Sequence, residues 1–327
     1  MTSRPNALYL AATLVIVLPL LRAEPLAAAP YPDKPIRVVV PSTSGSPPDV
    51  LARIVGEKLA TALGQAVVID NRPGAIGTIG LNAVAKAAPD GYTLGIQTMP
   101  FVVAPSLLAK MPYDTENDLL AVTQIAWAYT LLVVPAPSPI QSVAQLIAMA
   151  KAKPGVLTFA SSGNATPSHL GLALLERQAG INLVHIPYKG APASIAAVLA
   201  GDVDMAFCSL QLCSPLIMAG KVRVLATSAP RRLAAYPDLP TLVELGYPGV
   251  SVTDWLGVVA PAGTSREVID RLHSELAKIV VSPEMKQRLE AIGMEPSGAG
   301  PEDFSVQIHT EIVKWNKLVR EAHISVD

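Results

Sequence analysis

Two segments of this chain gather hydroxyl side chains beside glycine in a pattern suited to holding an anion. The first runs Pro41-Ser42-Thr43-Ser44-Gly45-Ser46-Pro47-Pro48-Asp49, and the second Ala160-Ser161-Ser162-Gly163-Asn164-Ala165-Thr166-Pro167-Ser168-His169. Each follows a short strand-like run and precedes a helical pattern. A helix start carries about half a positive charge and several unpaired amides, and favours an anion by about 0.3–1 kcal/mol, or ~2 when partly buried. Serine and threonine add donors without fixed charge, and glycine lets backbone approach a ligand. Two such starts facing each other could hold a carboxylate without arginine. Either loop alone also has an ordinary explanation in helix capping, and Asp49 reads first as an N-cap.

Rival chemistries find little support. A hydrolase needs a nucleophile and a positioned base, but no G-x-S-x-G elbow occurs and the five histidines lie in dissimilar contexts. His169 among serines reads as a polar contact at a helix start. Gly74, Gly77 and Gly80 are spaced wrongly for a dinucleotide fingerprint. No H-E-x-x-H motif or cysteine cluster points to zinc, and no cofactor is expected. Cys208 and Cys213 stand five residues apart at a strand end entering a helix. A disulfide there would close a very short loop, so two separate buried thiols are expected.

The elements that must position these loops alternate almost without a break. Strands are expected at Ile36–Val40, Ala66–Ile69, Tyr92–Thr98, Val156–Ala160, Leu183–Ile186, Val203–Phe207 and Val222–Thr227. Between them Asp49–Leu63, Ile79–Ala88, His169–Ala179 and Ala193–Leu199 carry helical spacing. This rhythm predicts an α/β protein with mainly parallel sheets covered on both faces, Ala66–Ile69 among the buried strands. Near the end, Phe304, Ile308, Ile312, Trp315 and Val319 form one apolar helical stripe, which is core packing.

Two extended stretches, Val122–Val134 and Val252–Ala260, interrupt the rhythm and end in proline-rich segments. They suggest a second lobe, residues 130–252, inserted into a first lobe of residues 30–129 and 253–327, with the stretches as hinges. The first 29 residues read as a signal peptide: Arg4, an uncharged apolar run from Ala7 to Leu21, and Ala27 and Ala29 in an A-x-A pattern. The run is shorter than the roughly 20 residues that span a bilayer. Cleavage removes Arg4, Arg22 and Glu24 from the 25 basic and 26 acidic residues, leaving 23 and 25. That near-neutral balance gives no reason to expect nucleic acid as a partner.

Longer segments carry a resemblance. Tyr31-Pro32-Asp33-Lys34-Pro35-Ile36-Arg37 followed by Val38-Val39-Val40-Pro41 resembles the mature start of the tripartite tricarboxylate transporter substrate-binding proteins, the Bug proteins. So do Asp70-Asn71-Arg72-Pro73-Gly74-Ala75, Ala87-Ala88-Pro89-Asp90-Gly91-Tyr92-Thr93-Leu94, Ser161-Ser162-Gly163-Asn164, His185-Ile186-Pro187-Tyr188-Lys189-Gly190 and Trp255–Thr264.

The resemblance implies a two-lobed periplasmic binding protein fold of the type II kind, working as a monomer on a small organic acid. Its partner would be membrane transporter subunits or, alternatively, a sensor kinase. Carried over by position, the ligand contacts are Ser42, Thr43, Ser44, Gly45, Ser46 and Asp49 in the first loop. Ser161, Ser162, Gly163, Asn164, Thr166 and His169 follow in the second. Lys189 either faces the cleft or is a solvated lysine near a helix start. Thr98, Met99, Cys208, Ser209 and Trp255 fall where cleft walls or hinges would lie, whereas Phe101 reads as packing. The first loop departs from the family pattern, with Ser46-Pro47-Pro48 where a glycine-rich run and threonine usually precede the aspartate. Prolines have no N–H to donate. Aromatic residues make up only 5% of the chain, which favours an aliphatic or small aromatic acid over an oligosaccharide.

Overall fold

Strand β1 (Ile36–Val40) is a β-branched run that Pro41 ends, and its outer neighbour β2 (Val67–Asn71) pairs with it in parallel. A computed structural model describes residues 31–321 except 165, 234 and 251, and from Pro32 onward these form one compact unit. The expected signal peptide lies outside the described residues. Helix α1 (Pro47–Leu63) starts with Ser46 at the cap and proline in its first turn, and stops where Gly64 turns left-handed at φ 67°. Leu51, Val55, Leu59 and Leu63 are buried on one side of it. Each fully buried side chain of this size stabilises the fold by about 1.5–3 kcal/mol.

Helix α2 (Thr78–Ala85) leads to strand β3 (Thr93–Thr98) and helix α3 (Met99–Leu107). Strands β4 (Leu119–Ala128) and β5 (Thr130–Pro135) follow, then helix α4 (Val143–Ala152). The middle of the chain runs β6 (Thr158–Ser161), α5 (Pro167–Ala179), β7 (Val184–Pro187), α6 (Ala191–Ala200), β8 (Met205–Ser209), α7 (Leu210–Met218) and β9 (Val222–Thr227). The closing part runs β10 (Asp254–Pro261), α8 (Arg266–Val281), α9 (Pro283–Ala291), β11 (Met294–Pro296) and α10 (Pro301–Glu321).

These strands build two sheets, one ordered β11-β4-β10-β3-β1-β2 and the other β7-β6-β8-β5-β9. Both are mixed. The expected parallel pairing holds for β1, β2 and β3 and for β6, β7 and β8, but β10 runs against both β3 and β4, and β5 against both β8 and β9. β5 and β10 are the strands that receive the chain as it crosses between sheets, and a strand entering from the opposite side must run the other way; the short edge strand β11 is also antiparallel, to β4. The segment expected as a buried strand at Ala66–Ile69 is an edge strand with Val68 half exposed.

The pairings fix how the sheets meet. Strand β4 runs in the direction of β1 and β3, so it ends at the edge where their carboxyl ends lie. Thr130 of β5 pairs with Ser209, the last residue of β8, so β5 begins at the carboxyl edge of the second sheet. Tyr129 alone separates them, and the two carboxyl edges therefore abut. The return crossing has the same geometry: β9 ends at Thr227, and β10 begins with Leu256 opposite Thr98. One hydrogen-bond cluster ties both crossings together. Thr130 Oγ1 and Ser228 Oγ are 2.8 Å apart, and Ser228 Oγ donates to the Val252 carbonyl at 3.0 Å.

The apolar stripe of α10 is buried throughout, at Phe304, Ile308, Ile312, Trp315 and Val319. Trp255 meets Phe304 edge-on, with ring centroids 5.3 Å apart. Among the described residues, no helix is long and apolar enough to cross a membrane.

Candidate functional site

All the expected contact residues lie at the abutting edges, because each belongs to the carboxyl end of β3, β6 or β8, to the loop after β1, β6 or β7, to the first turn of α1, α3 or α5, or to the start of β10. Their surroundings divide them into two groups. Thr43, Ser44, Gly45 and Lys189 are exposed, and Ser42, Ser46, Ser162, Gly163, Asn164, Thr166 and Ser209 are half-buried. Asp49, Thr98, Met99, Ser161, His169, Cys208 and Trp255 are buried and support the edge from beneath.

In the first loop Asp49 is not the cap: Ser46 holds that place, and Asp49 is the third residue of α1. Its carboxylate takes the Gly45 N–H at 2.8 Å, Asn71 Nδ2 at 2.9 Å and Arg53 Nε at 3.1 Å. Burial pushes this carboxyl up, but the bonds from Arg53, Gly45 and Asn71 outweigh it and hold the group below the usual carboxylate range. Asp49 is thus a charged, saturated clamp that folds the loop. Asn71 completes it by donating also to the Ser42 carbonyl at 3.1 Å. With Pro47 and Pro48 lacking N–H groups and the Gly45 and Ser46 amides bonded within the loop, this helix start presents hydroxyls more than amides. Ser46 Oγ is buried without a partner among the described residues.

The second loop is a denser network. Ser161 Oγ lies 2.6 Å from His185 Nε2 and contacts both the amide and the carbonyl of Gly163 at 3.2 Å. Ser168 Oγ accepts the Ser162 N–H at 3.0 Å and touches Ser162 Oγ and Thr166 Oγ1, each at 3.0 Å. Thr166 Oγ1 donates to the Gly163 carbonyl at 2.7 Å. Gly163 adopts φ 126°, a conformation that L side chains rarely enter. Beneath the loop, His169 stacks on His185 at 4.1 Å, and His185 on Phe159 at 4.7 Å. Burial and then the neighbouring His185 push His169 down to about 4, so it is neutral at ordinary pH.

The start of α3 is already occupied. Asp254 Oδ1 accepts the Met99 N–H at 3.2 Å and the Trp255 N–H at 2.9 Å, placing a protein carboxylate at that terminus. Thr98 and Met99 are buried under it. Trp255 is fully buried against Phe304 and packs in the core. Cys208 and Cys213 form a disulfide, contrary to the expectation of separate thiols. The chain reverses between β8 and α7, which brings the Cα atoms to 6.1 Å despite the short spacing.

Several residues escaped the sequence reading. Ser168 and Asn71 stood inside quoted segments, but only the folded loops show them as hubs. Ala75 and Ile76, after β2, adopt left-handed φ values of 46° and 52° at the same edge. Strain of this kind costs about 1–3 kcal/mol per residue and clusters at functional sites. The cluster of Thr130 and Ser228 at the crossings had no local signal. On the far side of the crossings from the serine loops, a groove of about 700 Å³ is lined by Tyr129, Leu210, Arg231, Met294 and Glu295. Arg231 pairs there with Glu295, which also accepts from Tyr129 Oη at 3.0 Å.

Two α/β layers joined by crossing strands, with hydroxyl-rich helix starts along the joint, define a two-lobed solute-binding protein of the periplasmic type. Residues 51–324 match the model of the tripartite tricarboxylate transporter family receptor, and the chain belongs to that family. It is similar to the periplasmic binding protein BugD (31% identity, 90% of this chain and 99% of that one, TM-score 0.82). It is similar also to Rpa4515 of R. palustris with adipate (34%, 90% and 99%, TM-score 0.84). A third likeness is to MatC (Rpa3494) from Rhodopseudomonas palustris with bound malate (28%, 88% and 100%, TM-score 0.80). The family is one of solute-binding receptors, not of enzymes.

Proposed function

We propose that this chain is a periplasmic receptor that captures a small organic carboxylate between its two sheets, performs no chemistry on it, and delivers it to a tripartite tricarboxylate-type uptake system. The observation that carries this reading is the one-residue link at Tyr129, which sets the carboxyl edges of both sheets against each other. The hydroxyl loops before α1 and α5 then address a common space. The relatives with adipate and malate support the carboxylate class.

In this reading the lobes are residues 30–129 with 253–327, and residues 130–252. The first contacts come from Thr43 and Ser44 on one side and Ser162, Asn164 and Thr166 on the other, and the buried, unpartnered Ser46 Oγ lies behind Thr43 and Ser44. Lys189, at the turn into α6, places an exposed positive charge at the same edge of the second sheet. The buried members of the expected set, Asp49, Ser161, His169 and Cys208, shape the loops without touching the ligand. Closure about the two crossings completes the hydrogen bonds, so the ligand favours the closed form by its differential affinity.

Thermal-shift screening of protein lacking residues 1–29 against mono- and dicarboxylates, with neutral sugars and amines as controls, tests the reading. Stabilisation by acids is expected. Ser162→Trp should abolish it, because the ring would fill the space above the α5 start. Stabilisation by sugars alone, or an unchanged response in that variant, would overturn the carboxylate site.

A further inference from the structure

The loop before α5 is held from below by a column of three rings, and that column is an unusual support for a polar loop. Phe159 of β6, His185 of β7 and His169 of α5 stack in sequence, with interplanar angles of 17° and 7°. His185 Nε2 then reaches Ser161 Oγ at 2.6 Å, and Ser161 Oγ grips the amide and carbonyl of Gly163. The chain of contacts runs without a gap from buried rings to the backbone of the loop.

We propose that His185 and His169 are positioning residues that set the shape of the 161–166 loop, so that acid loosens the loop and weakens ligand capture; the effect on capture rests on the receptor reading above. A Ser–His catalytic pair is the alternative meaning of the 2.6 Å contact. Against it, Ser161 has no exposed surface, and its hydroxyl is already engaged by Gly163. Phe159 and Ser161 of β6, which touch His185 directly, carry no charge, and the core on this face of the sheet is apolar, with Leu170 of α5 and Phe207 of β8. The other imidazole is the charged neighbour that acts on His169. Burial lowers both rings, His169 to about 4. A ring that titrates lower when packed than when freed binds fewer protons in the packed loop. The packed loop is therefore favoured above about pH 6.5, the free imidazole value, and loses ground as the pH falls towards 4.

The test follows histidine ring signals and the exchange of the Ser162 and Gly163 amides by NMR, corrected for the intrinsic pH dependence of exchange. It uses ligand-free protein lacking residues 1–29. Protection of these amides should fall as the two rings take up protons. At neutral pH, His185→Phe removes the imidazole contact and Ser161→Ala removes that contact together with both Gly163 bonds, so protection at Gly163 should fall roughly three- to tenfold in the first and at least as far in the second. His169→Phe keeps a stacked ring and should retain neutral protection while blunting the acid response. Melting curves check that each variant folds, and adipate serves as the binding probe at each pH. Protection that stays constant while the rings protonate, or that survives both His185→Phe and Ser161→Ala, would overturn the proposal. A loop that follows the rings in a protein that binds no acid at neutral pH would uphold the positioning role and refute the receptor reading instead.

Discussion

Replacing Asp254 by asparagine should change how stability depends on pH, in a direction that the position of this carboxyl dictates. Asp254 is half-buried at the start of β10, and its Oδ1 accepts the Met99 and Trp255 amides. Burial pushes its pKa up to about 7, with Glu311 adding to the rise and the two N–H bonds opposing it. In the unfolded chain an aspartate titrates near 3.9. Between roughly pH 4 and 7 the folded protein therefore binds more protons at this site than the unfolded one, and stability falls as the pH rises through that window. Three pH units correspond to about 4 kcal/mol at most, at 1.36 kcal/mol each. Solvent reaches a half-buried carboxyl, so about half of that, ~2 kcal/mol, is the working figure. Asparagine keeps an Oδ1 acceptor for both amides but cannot ionise. Urea melts of both proteins at about pH 4.5 and about pH 8 measure the effect, and the useful quantity is the change in their difference between the two conditions, which cancels any lost contact. The variant should gain about 2 kcal/mol on the parent on going from acid to alkaline conditions. A change below about 0.5 kcal/mol would show that Asp254 is charged at little cost, and that the occupied start of α3 solvates it as well as water does.

Other outcomes follow from the same contacts. Reducing the Cys208–Cys213 disulfide closes no large loop in reverse: the five-residue separation gives about 2 kcal/mol of lost stability, read as a lower melting temperature in reductant and absent from a Cys208→Ala/Cys213→Ala double variant. Phe304→Ala should cost about 3–5 kcal/mol, because it strips the edge-on partner from the fully buried Trp255, and denaturant melts with Trp fluorescence report both the loss and the altered ring environment.

The parallel parts of both sheets and the buried stripe of α10 could be read from the chain because they depend on local periodicity. β-Branched runs such as Ile36–Val40 and the four- and three-residue steps from Phe304 to Val319 declare their buried faces without reference to partners. Polar loops between strand and helix were equally legible, since proline, glycine and serine at those points leave few other conformations. The abrupt turn from extended to helical backbone was visible at Ser209, but not that it would bring Cys208 within bonding distance of Cys213. The full burial of Trp255 was not legible for a related reason: a large ring beside a crossing between sheets has no sequence mark that tells core from cleft.

By itself, then, the sequence determined the alternation of elements, the two hydroxyl-rich helix starts and the proline-rich stretches between which the chain changes sheets. Only the tertiary structure decided which polar groups are free. Asp49 spends its lone pairs on Gly45, Asn71 and Arg53, Ser161 is bound to His185, and Asp254 already occupies the start of α3. Periodicity is a property of neighbours along the chain, whereas the satisfaction of a hydrogen bond depends on groups 22, 24 or 155 residues away, which meet only when the sheets close.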